Sequence, residues 1–189
     1  MPTVPQPYQY PLADIPGTET SLDHLIALIA INIPSGVNPV INNDGTNLIV
    51  QFDQDLEDTD KAILDTLVPR TNEYFIITSD GGVTDLGNPA TVSKPVGNLS
   101  ATTITLQCKN GDGTNSNGFG QTINIGIDCL VPVDKSSCSF DGNGRCSFTI
   151  GVSMTMRGKV VFTLTTNDQL PAHDADGNAG PGVLNGVWT

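Results

Sequence analysis

The residues of this chain with chemistry to offer are its two histidines, four cysteines and a surplus of acids. An enzyme requires a nucleophile with a base, a metal, or paired acids in a pocket. His24 and His173 are far apart in sequence and fall in unrelated elements. No Gly-x-Ser-x-Gly elbow, His-Glu-x-x-His run or phosphate loop occurs. The sequence therefore reads as a non-enzyme with no cofactor and no metal.

The acids have a simpler reading. Asp53, Asp55, Glu57, Asp58 and Asp60 bracket the start of a predicted helix, where carboxylates meet the positive end of the helix dipole. Asp174-Ala175-Asp176-Gly177-Asn178 looks like part of a calcium loop, but no Glu follows to complete the shell, so a plain Asp/Gly turn is expected. Asn98-Leu99-Ser100 matches a glycosylation acceptor and is discounted for want of a secretion signal.

Cys108, Cys129, Cys138 and Cys146 lack the two-residue gaps of a zinc knuckle, and neither histidine is near them in sequence. They read either as buried small apolar side chains or as candidate disulfide partners, and spacing does not choose among the three pairings. A turn centred on Gly142 would set Cys138 opposite Cys146 in a hairpin, with Cys108 and Cys129 meeting across its neighbour. A bond closing so short a loop adds at most about 2–3 kcal/mol.

Composition bounds the partners. A formal charge of −12, from 20 acidic and 8 basic residues, leaves no basic stripe for phosphates, so no nucleic acid is expected. No apolar run is long enough to span a bilayer, and Leu25 to Ile33 is interrupted by Asn32; no membrane is expected. The N-terminus lacks a basic and apolar leader pattern, which implies synthesis in a cytoplasm.

These residues must be held by elements, and the sequence suggests an order for them. Residues 1–17 carry Pro2, Pro5, Pro7, Pro11 and Pro16, which favour an extended arm. Val4, Tyr8, Tyr10 and Leu12 are its candidate partner-binding side chains. Residues 18–87 form an α+β module. Thr20 caps a first helix, and Leu22, Leu25, Ile26 and Ile29 follow its period. Val40 and Ile41, the turn Asn42-Asn43-Asp44-Gly45, and Leu48, Val50 and Phe52 make a hairpin. Ala62, Ile63, Leu64, Leu67 and Val68 line a second helix closed by Pro69. Residues 88–98 read as a linker and 169–189 as a tail, with Val183, Leu184, Val187 and Trp188 as anchors.

Between them, residues 99–168 hold short alternating runs. Ile104, Leu106 and Cys108 share one face, as do Val160, Phe162 and Leu164, with Gly-rich punctuation between the runs. Short alternating strands of this kind predict a small antiparallel sandwich. The fold class is therefore mainly β, with an α+β N-terminal part and a β-sandwich after it.

Two resemblances follow. The turn Asp141-Gly142-Asn143-Gly144 with Phe148-Thr149-Ile150 resembles the bacterial immunoglobulin-like modules of intimin/invasin type. Leu48 to Asp53 followed by Ala62 to Val68, in helix-hairpin-helix order, is similar to a module of tailed-bacteriophage virion proteins. Together they imply a structural protein of a phage particle, made in the host cytoplasm. A head decoration or cement protein is favoured, contacting the major capsid protein or other virion proteins as a homo-oligomer, most naturally a trimer. A tail, neck or fibre component that binds another virion protein or host glycans is the alternative, and a bacterial surface adhesin fragment the second alternative.

Overall fold

The computed structural model describes residues 5–17, 22–35, 38–78, 83, 85–87, 89–94, 101–117, 121–128, 133–151 and 158–188. Val4, the Thr20 cap, the Asn98-Leu99-Ser100 triplet and Cys129 lie outside them. The chain divides into two compact units, residues 1–72 with 110–112, and residues 73–109 with 113–189.

The first unit is an α+β module. Its elements are β1 (Tyr8–Pro11), α1 (Leu22–Asn32), β2 (Val40–Asn43), β3 (Asn47–Gln51) and α2 (Asp58–Leu67). The three strands form an antiparallel sheet in the order β1-β3-β2. Leu25 and Ile29 of α1, Leu48 and Val50 of β3, and Leu64 of α2 are fully buried in its core. The hairpin turn is tightened by Asp44, whose Oδ1 accepts the amides of Thr46 at 2.8 Å and Asn47 at 2.7 Å. The α2 dipole draws Asp58 and Asp60 into its first turn, although Glu57 at the cap makes no side-chain bond. Ser35 Oγ donates to Asp60.

The N-terminal arm departs from the expectation of a partner-binding extension. Residues 8–11 are extended, as the prolines require, but they are the edge strand of their own module's sheet, where flanking prolines cost no ladder bonds. Tyr8 stacks edge-on against Phe52, with ring centroids 6.0 Å apart, and its hydroxyl accepts the Leu56 amide at 3.0 Å. Tyr10 donates to Asp65 at 2.7 Å. Burial, reinforced by that carboxylate, pushes the Tyr10 phenol well above its usual range. Leu12 packs on the same core. These side chains are spent within the module. Tyr8→Ala should accordingly destabilise the module by about 2 kcal/mol in urea unfolding, against no measurable change for exposed Gln9→Ala. Equal stability of the two variants would return the arm to the role of a loose end.

The second unit is the sandwich. It comprises β4 (Tyr74–Ile77), β5 (Ala90–Lys94), β6 (Thr102–Lys109), β7 (Thr122–Ile127), β8 (Ser137–Ser139), β9 (Arg145–Ile150), β10 (Gly158–Thr166), β11 (Ala172–His173), β12 (Ala179–Gly180) and β13 (Val183–Trp188). One sheet runs β12-β11-β4-β6-β9 and the other β5-β13-β10-β7-β8. Consecutive strands β6 and β7 lie in different sheets, as do β4 and β5, and β5 runs parallel to the last strand. This wiring makes the sandwich immunoglobulin-like. The inward residues of the alternating runs are buried, with Ile104, Leu106, Ile123, Phe148, Val160 and Phe162 each at most 1% exposed, and Leu184 of β13 joins them at 0%.

The proposed linker and tail are corrected by this topology. Within 88–98, β5 pairs with β13 over five residues, Ala90↔Leu184 to Lys94↔Trp188. Within 169–189, β13 pairs with β10 from Gly158↔Trp188 to Thr163↔Val183. Both segments contribute strands to the sandwich, and the boundary between units falls at Asn72/Glu73 rather than in a linker. Among the described residues no helix is long and apolar enough to cross a membrane.

Candidate functional site

Among the described residues, two groups of titratable and nucleophilic side chains stand out in the sandwich. The first is a closed polar cluster that the sequence did not announce. Glu73 precedes β4, Ser116 follows the β6 loop, Gln121 precedes β7 and Asp168 follows β10; all are at most 6% exposed. Ser116 Oγ donates to Glu73 Oε1. Gln121 Nε2 donates to Asp168 Oδ2 at 2.7 Å and reaches Glu73 Oε2 at 3.5 Å. The Cys108 thiol donates to Gln121 Oε1 at 3.5 Å. One side-chain amide thus serves two carboxylates and a thiol.

Paired acids can do acid–base work when a substrate can reach them. Here Glu73 and Asp168 are 2% and 5% exposed, and their contacts tie strand ends of both sheets together. The arrangement suits a structural network that fixes which strands meet. A nearby cavity lined by Phe75, Ala172, His173 and Asp174 holds about 20 Å³, room for a single water. His173 itself stacks on Tyr74, ring centroids 4.1 Å apart. His24 is fully buried in the first unit. Among the described residues no three His, Cys, Asp or Glu side chains are grouped to hold a metal ion.

The suspected calcium loop is a closed Asx turn. Asp174 Oδ1 accepts the amides of Asp176 and Asn178, each at 2.9 Å, and Asn178 Nδ2 reaches Oδ2 at 3.0 Å. Its oxygens point back into the loop. The Asn178 side-chain bond, followed by the backbone amides, holds the Asp174 carboxyl below the usual range. Asp44 and Asp141 are lowered too, chiefly by backbone amides.

The second gathering is a thiol pair. Cys138 and Cys146 are brought together, Sγ to Sγ 2.8 Å, and both are buried. The hairpin expected to do this is absent. Cys138 sits on β8 opposite Ile123, and Cys146 on β9 opposite Leu106, in different sheets. The turn is also centred one residue later than expected, since the Asp141 amide bonds Arg145 O at 2.8 Å. Asp141 Oδ1 captures the amides of Asn143 and Arg145, which makes the loop compact. On either side the backbone parts: the Phe140 amide goes to Gln121 O, whereas Gly144 O takes the Cys108 amide. The loop is therefore a corner between sheets. Cys108 stands apart from this pair, with its thiol on Gln121.

No protein-family model matches the sequence, and no curated protein matches it significantly. Among solved structures, the D00-D0 domain of intimin aligns over 97% of this chain and 82% of its own, with 11% identity and a TM-score of 0.33. The D0-D1 domain of intimin aligns over 80% and 76%, with 15% identity and a TM-score of 0.34. Scores of this size add nothing to the fold assignment, which stands on the strand wiring.

Proposed function

We propose that this chain is a non-enzymatic binding and structural module that works at a bacterial surface as part of an adhesin. The observation that carries the reading is the Asp141–Gly144 corner. The residues of the intimin/invasin-type resemblance form the passage between the sheets, and Phe148 and Ile150 enter the core directly after it. The acids of the sandwich interior are closed off from substrate, and recognition is left to exposed edges and loops. The net charge of −12 favours a basic partner surface. The test is location in the source organism. Surface labelling of intact cells should reach the protein, and external protease should remove it. Recovery only from purified phage particles would overturn the surface assignment.

A second reading has its own observation. The first unit has the helix-hairpin-helix order α1-β2-β3-α2 of the phage-virion resemblance. On this reading the chain is a head decoration or cement protein on the major capsid protein, as a homo-oligomeric trimer. High copy number in purified virions, by quantitative mass spectrometry, supports the head; low copy number points to neck or tail.

A further inference from the structure

We propose that Cys138 and Cys146 are an oxidisable pair whose disulfide staples the two sheets of the sandwich together along one side. The proposal is independent of where the protein works.

The backbone fixes the encounter. β8 is the outermost strand of one sheet and β9 the outermost strand of the other. The chain entering β8 crosses between them. Val133 bridges Ile150, and the Asp134 amide bonds Thr149 O at 3.1 Å, on the β9 side. Two residues after Asp134, Ser136 O accepts the Ile125 amide at 2.8 Å, on the β7 side. After β8, the Asp141 corner returns the chain to β9. Two crossings therefore clamp this side, and both cysteines point into the space between them, 7% and 6% exposed. Their sulfurs stand 2.8 Å apart, well inside the contact distance of two unbonded thiols, so closing the bond asks little further motion.

The pair is also unequal. The hydrogen bond between the two sulfurs, aided by the charge of Lys135, holds the Cys138 thiol below its ordinary value. The same hydrogen bond, with burial, pushes Cys146 up. Exchange takes two steps whichever sulfur attacks first, and with Cys138 first they are these. With a small-molecule disulfide such as oxidised glutathione as oxidant, the Cys138 thiolate attacks one sulfur and expels a glutathione thiolate. Cys146, losing its proton, attacks the mixed disulfide at Cys138 and expels the second. Two protein thiols are oxidised, one disulfide is reduced, and the two protons end on the two glutathiones.

The full-length protein, refolded in oxidised and reduced glutathione, tests this. After denaturation and alkylation, the oxidised sample should be lighter by two alkyl groups. Trypsin cuts after Arg145, between the cysteines, so the two peptides should travel together until reduced. The oxidised form should melt about 5–10 °C above the reduced form, and Cys138→Ser and Cys146→Ser should each abolish that difference. Full alkylation of both cysteines in the oxidised folded protein, or linkage of either to Cys108 or Cys129, overturns the proposal. The peptide map of the unmutated protein decides this even if a serine variant does not fold.

Discussion

Gly144→Ala should be the most damaging single-methyl change in the sandwich, costing at least about 4 kcal/mol. Two independent penalties meet there. Gly144 has φ +69°, in the left-handed region, where a side chain costs about 1–2 kcal/mol. A Cβ would also lie 1.7 Å from Ser116 O, a backbone atom that cannot swing aside. The Ser116 amide is bonded to Cys108 O, and its hydroxyl to buried Glu73, so shifting it disturbs the polar cluster. The Gly144 carbonyl is engaged as well, by the Cys108 amide at 2.8 Å and Gln107 Nε2 at 3.1 Å. Gly142, two residues earlier in the same turn, is the control. A Cβ there meets nothing within 4 Å, so Gly142→Ala should change stability by no more than about 0.5 kcal/mol. Urea unfolding of both variants checks the contrast. If the two alanines cost the same, the close approach of the corner to Ser116 is wrong.

The corner also shows how far local sequence carries. The run Asp141-Gly142-Asn143-Gly144 announces a turn, and alternation announces that Cys138, Phe140, Cys146 and Phe148 face inward; all four are buried. What no local pattern contains is which strand each flank will bond. A hairpin and an inter-sheet corner need the same turn residues and differ only in partners distant in sequence, Gln121 for one flank and Cys108 for the other. The same limit hides β5. Ala90 to Lys94 sits between prolines in a Gly-bearing stretch, and becomes sheet only because β13, nearly a hundred positions away, offers a parallel edge. It likewise hides the arm's destination, since prolines dictate an extended chain without saying whose edge it joins. The polar cluster was illegible for a different reason. Glu73, Gln121 and Asp168 each sit in polar surroundings at a strand end, where a charged residue is ordinarily solvated. Only the folded topology converges them on one amide.

Phe162→Ala should lower the stability of the sandwich by about 3–5 kcal/mol. Phe162 is fully buried and stands on β10, which has strands on both sides: Leu184 of β13 is its neighbour on one edge and Ile127 of β7 on the other. Val160 and Leu164 flank it on the same inward face. A void left by the ring can be filled only by moving strands that are hydrogen-bonded on both edges, so relaxation is small and the cavity cost is retained. The outward neighbour Thr165 shares the strand and its backbone bonds but is exposed. Thr165→Ala should therefore cost no more than about 1 kcal/mol, from strand preference alone. This pair separates the loss of core packing from the loss of strand propensity at a common backbone. Hydrogen exchange gives the second readout: in Phe162→Ala the amides of β7, β10 and β13 should lose protection together, because one side chain supports all three. Loss confined to β10, or equal costs for the two substitutions, would mean that this sheet is not packed around Phe162.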